Sequence, residues 1–152
     1  MKLQPKKLVQ IPVQKLNPKA ILPTYQTAGS AGADIHACLD GPIILRPMER
    51  AMIPTGLALA IPDGYEVQIR ARSGLSIKHG ITMVNGLGTI DSDYRGELNI
   101  LLINLGQSEF TIEPAMRIAQ MVLAQYQTLD WQLTDSLEST QRGEGGFGST
   151  LT

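Results

Sequence analysis

Short apolar runs separated by turn residues are the main pattern along this chain. The 15 glycines and 9 prolines recur at short intervals, and turn sequences such as Pro62-Asp63-Gly64 separate runs rich in Ile, Val and Leu. Many short strands with turns between them are typical of β-sandwiches and β-barrels. We therefore predict strands at residues 8–13, 42–45, 51–53, 65–71, 82–84, 97–104, 110–112 and 118–126.

Helix signals are weak in this sequence. Residues 117–127 are long enough for a helix, but their apolar positions fit a buried strand equally well, and we interpret the segment as a strand. The chain of 152 residues is the size of one domain. After Tyr126 the sequence becomes polar and then dense in glycine. We therefore predict an all-β domain over residues 1–126, followed by a tether and mobile arm over residues 127–152.

The charge and cysteine content narrow the function classes. A formal net charge of −1, from 13 basic and 14 acidic residues spread along the chain, provides no basic stripe for a nucleic-acid polymer. Cys38 stands alone, so no disulfide can form within the chain, and we expect a cytoplasmic protein. No apolar run approaches the roughly 18 residues of a membrane span, and we expect no membrane association.

The first segment whose residues suggest a binding function is the glycine-rich run at residues 142–150. Its four glycines leave N–H groups unshielded, so that they can form a nest for phosphate oxygens. Arg142 can bridge two phosphate oxygens, Phe147 can stack on a base, and Ser149 and Thr150 add hydroxyl donors. A disordered tail is the alternative, but such tails seldom carry this combination. We interpret the segment as a nucleotide binder and the chain as a nucleoside triphosphate hydrolase.

A second segment, Arg72-Ser73-Gly74-Leu75-Ser76, follows the predicted strand at residues 65–71. Backbone N–H groups beside Gly74 can approach a phosphate closely because no Cβ intervenes, and Arg72 can neutralise its charge. Arg-Ser-Gly is also a common turn, and this alternative is about equally favoured by the sequence.

A third segment runs from Asn85 to Glu97. Asn85-Gly86 predicts a hairpin after residues 81–84. If the following segment is extended, Asp91 and Asp93 share one face, and a carboxylate there can orient and deprotonate an attacking water. The alternative is a solvated acidic turn or an ion pair with Arg95.

A fourth segment, residues 28–37, leads into a short predicted strand that carries Asp34. A triphosphate brings Mg²⁺ with it, and Mg²⁺ keeps several waters, so one carboxylate holding its water shell is chemically sufficient. A pair between Asp34 and an arginine is equally compatible with the sequence. The chain has no Gly-x-x-x-x-Gly-Lys-Ser/Thr motif, and His36, His79 and Cys38 are too few and too separated for a zinc site.

Taken in order, these segments resemble the five motifs of the trimeric, all-β deoxyuridine triphosphate pyrophosphatases (dUTPases). The motifs that carry the resemblance are Ala31-Gly32-Ala33-Asp34-Ile35-His36-Ala37, Arg72-Ser73-Gly74-Leu75, Asn85 through Glu97, Arg117-Ile118-Ala119-Gln120-Met121-Val122 and Arg142 through Thr150. The resemblance implies a single-domain, jelly-roll-like β-barrel with a mobile C-terminal arm. It also implies a homotrimer whose active sites are shared between subunits.

The activity that the resemblance implies is Mg²⁺-dependent hydrolysis of dUTP to dUMP and pyrophosphate, which keeps uracil out of DNA and supplies dUMP for thymidylate synthesis. Asp91 would activate the attacking water. Tyr94 would pack under deoxyribose and exclude a 2′-hydroxyl. The other implied site residues are Asn85, Gly88, Thr89 and Ile90 for uracil, Arg72, Ser73, Gly74 and Gln120 for phosphate, Asp34 for Mg²⁺-bound water, and Arg142, Phe147, Gly148, Ser149 and Thr150 in a lid.

Some positions depart from the family pattern, namely Ile35, Ser76-Ile77 and Asn99, but none removes a group that the chemistry needs. Arg117 is expected to be structural, and Asn99 is left out of the predicted site. Two other functions remain open at this point. One is a dCTP deaminase-like enzyme of the same fold, against which the complete tail and Tyr94 argue. The other is a regulatory module that binds dUTP without cleaving it.

Overall fold

Four small sheets are formed by residues 8–146, the part of the chain that the computed structural model describes. The elements in chain order are β1 (Val13–Lys15), β2 (Ala33–His36), β3 (Ile43–Leu45), β4 (Arg50–Pro54), β5 (Leu57–Leu59), β6 (Tyr65–Arg70), α1 (Ser73–His79), β7 (Ile81–Met83), β8 (Gly88–Ile90), β9 (Asn99–Asn104), β10 (Phe110–Ile112) and β11 (Arg117–Gln125).

The largest sheet has four strands in the order β2-β11-β6-β8. The long strand β11 pairs antiparallel with β2 on one side and with β6 on the other. In this register Gln120 lies opposite both Asp34 and Arg70, so that the three polar residues form one row across the sheet. Directly opposed residues share a face, and this row therefore lies on the face opposite to buried Val67 and Ile69.

A three-stranded sheet has the order β4-β9-β7, and two strand pairs, β1-β5 and β10-β3, complete the described body. Strand β9 alternates between the core and the outer face, because Ile100, Leu102 and Asn104 are buried whereas Leu101 is exposed. The core lies between the sheets. Its fully buried side chains include Ile35, Ile53, Ile69, Ile81, Leu98, Ile100, Leu102, Ile112 and Ile118.

The all-β prediction is confirmed, and most predicted strands are present with ends that differ by one or two residues. They correspond to β3, β4, β6, β7, β9, β10 and β11. The short predicted strand that carries Asp34 is β2. The interpretation of residues 117–127 as a strand is also confirmed, since β11 covers most of that segment and pairs on both sides.

The prediction at residues 8–13 is wrong in its extent, because β1 begins at Val13. Pro12 has no N–H to donate to a ladder, and pairing with β5 begins at the next residue. Three elements, β5, β8 and α1, are not among the predicted strands. Strand β5 has three residues, all buried, and is too short to show alternation. Helix α1 has seven residues with Leu75 as its buried one, so it shows no helical period, and Gly80 ends it in the left-handed conformation.

The predicted hairpin at Asn85-Gly86 is also wrong. Gly86 does take a positive φ of 67°, as a tight turn requires, but the strands on either side do not pair with each other. Strand β7 pairs with β9, whereas β8 pairs with β6 in the other sheet. The turn therefore carries the chain from one sheet to the other. Turn residues specify a local reversal, and packing decides which strands then pair.

The C-terminal segment has a different character from the sheets. Residues 127–146 contain no strand or helix, and their apolar side chains are largely exposed, including Leu129, Trp131, Leu133 and Leu137. The division into a domain and a mobile arm stays a prediction. Within residues 8–146, no helix has the length and apolar character needed to span a bilayer.

Asn104 gives a test of how the turn after β9 is held. Its buried side chain donates to the carbonyl oxygens of Leu45 and Ser108, both at 2.8 Å, and accepts the Gly106 N–H at 2.8 Å. Replacing Asn104 with Ala leaves these groups without their partner. We expect the free energy of unfolding to fall by roughly 2–4 kcal/mol, since each orphaned buried group costs about 1–3 kcal/mol.

Chemical denaturation followed by circular dichroism measures this change, and Gln107→Ala, at an exposed position of the same loop, is the control. Equal stability of the two variants would contradict the prediction.

Candidate active site

A cavity of about 290 Å³ lies beside β8, the edge strand of the four-stranded sheet. An edge strand leaves backbone N–H and C=O groups on its outer side available to a ligand. The side chain of Asn85 lies next to Gly88, where a Cβ would come 3.0 Å from Cβ of Ile69 and 3.5 Å from Nδ2 of Asn85. A side chain at residue 88 would therefore press on Ile69 and require β8 or Ile69 to shift slightly. The lining includes the predicted residues Asn85, Gly88, Thr89, Ile90, Asp91 and Tyr94.

Asp91 and Tyr94 are placed in this cavity by a tight turn after β8. The Tyr94 N–H donates to the Asp91 carbonyl at 3.2 Å, and the Tyr94 hydroxyl donates to the Glu97 carbonyl at 3.0 Å. The Arg95 guanidinium donates to the carbonyl oxygens of Ser92 at 2.6 Å and Tyr94 at 2.8 Å. The segment is thus not extended beyond Ile90, and the condition for Asp91 and Asp93 to share a face is not met.

The cavity also contains residues that were not in the predicted site. Glu97 and Asn99 line it, together with Met52, Met83 and Leu101. Glu97 accepts the Gly56 N–H at 2.8 Å through its carboxylate, which ties the cavity to the turn before β5. The sequence places Asn99 outside the predicted site. Its position at the start of β9, on the face shared with exposed Leu101, is the signal that could have placed it here.

Arg72, Ser73 and Gly74 lie at the end of β6, where α1 begins. The first N–H groups of a helix have no partner within it and can receive an anion. A side chain at Gly74 would meet no atom within 4 Å, so the approach to this turn is open. The sequence-based interpretation of a strand end carrying a charge, a hydroxyl and a glycine is therefore geometrically correct, although the turn continues into a helix.

Asp34 holds two arginines at this end of the sheet. Its Oδ1 lies 3.4 Å from Nε of Arg72, and its Oδ2 accepts a hydrogen bond from Nη1 of Arg117 at 3.0 Å. Arg72 also donates to the Arg117 carbonyl at 2.8 Å. The Asp34 side chain is 11% exposed, so these pairs are shielded from water more than a surface pair. The sequence left open whether Asp34 holds Mg²⁺-bound water or pairs with an arginine. The structure contains the pairing with arginine.

Gln120 lies in the same row as Asp34 and donates to the Ala71 carbonyl at 3.1 Å, next to Arg72. Its side chain occupies the space that a side chain at Gly32 would need, because a Cβ there would lie 2.5 Å from Oε1 of Gln120. The absence of a side chain at Gly32 is therefore what allows Gln120 to reach the backbone beside Arg72.

His36 is the titratable group whose pKa this cluster changes. Burial lowers the pKa of His36 below its usual value; the charge of Asp34 opposes this shift, and Arg117 and Arg72 add to it. Its Nδ1 atom is buried without a hydrogen-bond partner among the described residues. Burial and the two guanidinium groups thus disfavour the charged form of the His36 ring.

The cavity beside β8 is lined by only part of the predicted site. The lining of the cavity beside β8 includes neither Arg72, Ser73 and Gly74 nor Gln120 and Asp34. In the predicted lid, the Arg142 guanidinium donates to the carbonyl oxygen of Gly145 at 2.8 Å, three residues along the same segment. Phe147, Gly148, Ser149 and Thr150 lie outside the described residues.

A sequence profile described as dUTPase matches residues 18–151. The chain is also 60% identical over 130 residues to the deoxyuridine 5′-triphosphate nucleotidohydrolase of Roseobacter denitrificans, with 85% of this chain and 86% of that protein covered. This chain belongs to the dUTPase family.

Solved structures of dUTPases share the fold. The dUTPase of Staphylococcus bacteriophage 80alpha, solved with dUPNHPP, is 28% identical, with a TM-score of 0.85 over 93% of this chain and 98% of that chain. A mutant dUTPase from phage phi11 of S. aureus is 25% identical, with a TM-score of 0.77 over 86% of this chain and 100% of that chain; it is described as coordinating a structural Mg(II) ion. The predicted dUTPase fold is thereby confirmed.

The described residues of this dUTPase-family chain do not fit a direct protein site for Mg²⁺. No group of three His, Cys, Asp or Glu side chains suited to a metal occurs between residues 8 and 146. Asp34 supplies one carboxylate, and each of its oxygens faces a guanidinium group. Mg²⁺ prefers water and phosphate oxygens to dedicated protein cages, so an ion here would have to bring its ligands with it.

A larger cavity of about 540 Å³ shares no lining residue with the cavity beside β8. Apolar side chains line it, from the segment before β1 and from the core face of β6 and β11, and it contains none of the predicted catalytic or phosphate-binding side chains. Size alone therefore does not identify a site in this fold, since the predicted residues Asn85, Asp91 and Tyr94 line the smaller cavity.

The Asp34 cluster can be tested through stability. Replacing Asp34 with Asn keeps the shape but leaves two guanidinium groups facing each other without a carboxylate. We expect the free energy of unfolding to fall by roughly 2–3 kcal/mol, because breaking a shielded pair costs more than breaking an exposed one. Urea denaturation at neutral pH measures the change.

Asp40→Asn is the matched control, since Asp40 pairs with Lys19 through a side chain that is 88% exposed. We expect little change there. An Asp34→Asn protein as stable as the control would contradict the structural role of the cluster.

Proposed function

We propose that this protein hydrolyses dUTP to dUMP and pyrophosphate. The observation that carries the proposal is the cavity beside β8, where Asn85, a β-strand edge, Asp91 and Tyr94 converge. An amide side chain and backbone groups can match the donors and acceptors of uracil. A base with reversed donors would leave these groups unpaired, which gives strong discrimination. The relatives named as deoxyuridine 5′-triphosphate nucleotidohydrolases support this substrate.

Asp91 is the proposed general base. Its carboxylate accepts a proton from water, and the resulting hydroxide attacks the α-phosphorus in line with the bridging oxygen to the β-phosphorus. That P–O bond breaks and pyrophosphate leaves, so one water is consumed for each dUTP. Arg72, the first N–H groups of α1 and Arg142 neutralise the triphosphate, and Tyr94 packs under the sugar. Mg²⁺ is proposed to arrive as part of the Mg²⁺–dUTP substrate complex, with Asp34 limited to a water-mediated contact.

A homotrimer with shared active sites is the proposed assembly. The lining of the cavity does not include the phosphate-binding group, and in the proposed assembly residues from another copy complete the site. Leu129, Trp131 and Leu133 of the C-terminal segment are 73%, 83% and 103% exposed, and a run of exposed apolar side chains suits contact with another chain. In this arrangement residues 142–150 close over a neighbouring site.

The cytoplasmic location remains part of the proposal and is supported by the lone cysteine.

The direct test is pyrophosphate release from dUTP, dTTP, dCTP and UTP, with and without Mg²⁺. We expect turnover of dUTP alone, and no ammonia from dCTP. Replacing Asp91 with Asn keeps the shape of the side chain and removes the base, so we expect near-total loss of turnover with dUTP binding retained. Calorimetric titration with dUTP measures the binding.

Asp63→Asn, in the turn before β6, is the control for this substitution. Turnover by Asp91→Asn above a few percent of the unmodified protein would exclude Asp91 as the base. Binding of dUTP by the unmodified protein without any pyrophosphate would favour the regulatory module.

Mixing two inactive variants tests whether sites are shared. One variant carries Asp91→Asn with an intact tail, and the other ends at Gln141 with Asp91 intact. If a site combines Asp91 of one chain with the tail of another, co-expressed mixed trimers regain activity that neither variant has alone.

The mass from sedimentation equilibrium is measured on the same samples. A trimeric mass with no regained activity would show that each site uses the tail of its own chain. Full activity of the truncated protein alone would contradict the lid role.

A further inference from the structure

Gly96 lies where a side chain would collide with the ring of Tyr94. A methyl group at position 96 would lie 2.6 Å from Cζ and 3.0 Å from Cε2 of Tyr94, and its closest contact would be the hydroxyl oxygen. Non-bonded carbon atoms pack at about 3.5–4.0 Å. The Tyr94 ring in its present position and any side chain at residue 96 therefore exclude each other.

The backbone gives no separate reason for glycine at this position. Gly56, Gly64, Gly80, Gly86 and Gly143 have positive φ angles, which other residues rarely adopt, but Gly96 is not among them. The φ angle of residue 96 therefore does not require glycine. The collision with Tyr94 is what disfavours a side chain at residue 96.

A second contact holds the ring in the same place. The Tyr94 hydroxyl donates to the Glu97 carbonyl at 3.0 Å, one residue beyond Gly96, and Tyr94 lines the cavity that also contains Asp91 and Asn85. The ring is 45% exposed in the single chain, so it is not wedged in the core and would move rather than unfold the sheet. Its position, and with it the shape of this cavity wall, depends on the space at residue 96.

We propose that Gly96 is a specificity-determining residue: its missing side chain lets the Tyr94 ring lie against the backbone and sets the wall that the sugar of the substrate meets. The inference rests on the proposed hydrolysis of dUTP and on the proposed role of Tyr94. A side chain at residue 96 displaces the ring, breaks its hydrogen bond to Glu97 and changes the space available for a 2′-hydroxyl.

Gly96→Ala is the test, with Gly41→Ala as the matched control. Gly41 also has no positive φ, and a side chain there would meet no atom within 4 Å. The measured quantity is the ratio of kcat/KM for dUTP to kcat/KM for UTP. We expect Gly96→Ala to lower this ratio roughly tenfold, the size of effect that a small change in a pocket wall produces, and Gly41→Ala to leave it unchanged. An unchanged ratio in a folded Gly96→Ala protein would overturn the proposal.

A double-mutant cycle with Tyr94→Ala isolates the mechanism. In the Tyr94→Ala protein there is no ring to displace, so adding Gly96→Ala should change the ratio no further. If Gly96→Ala lowers the ratio equally in both backgrounds, its effect does not pass through Tyr94 and the proposal is wrong. If Gly96→Ala alone fails to fold, the double variant should fold, because the collision is gone; failure of both would also overturn it.

The same measurements separate this inference from those on which it rests. Absence of dUTP turnover by the unmodified protein contradicts the proposed function itself. A normal ratio in Tyr94→Ala contradicts the role of Tyr94. A reduced ratio in Tyr94→Ala, together with a normal ratio in Gly96→Ala, contradicts the role of Gly96 alone.

Discussion

The pairing of β11 with a strand on each side is the constraint on which the rest of this structure depends. Its register places Gln120 opposite Asp34 on β2 and opposite Arg70 on β6. A shift by one residue would turn every side chain of β11 to the other face, exposing buried Ala119 and moving Gln120 into the core. The register thus determines both the core and the polar row that leads to Arg72.

This constraint explains why a carboxylate, two guanidinium groups and an amide can be held together at the sheet end. Asp34 faces Arg72 and Arg117, while Gln120 binds the backbone just before Arg72. Two positive charges close together would repel each other, and the shielded carboxylate between them offsets that repulsion. A net positive charge remains beside the first turn of α1, which suits a polyanionic ligand.

The cavity beside β8 has a different physical basis. Strand β8 is paired on one side, and the turn after it is held by hydrogen bonds from Arg95 and Tyr94 to backbone carbonyls. A surface built in this way keeps its shape without being buried. The lining of this cavity does not include the Asp34 cluster, and the proposed trimer with shared sites would bring the two together. The exposed apolar side chains of residues 127–146 fit the same proposal.

The sequence by itself determined the all-β class, most of the strands and the residues of the family motifs. It could do so because period-two alternation, turn residues and reactive side chains are local properties. Only the tertiary structure decided that β7 and β8 join different sheets, that Asp34 pairs with two arginines, that Asn99 and Glu97 line the cavity and that Gly96 makes room for Tyr94. These depend on register and packing between segments distant in the chain, or on a side-chain position. Apart from the period-two position of Asn99 in β9, they leave no pattern in the sequence.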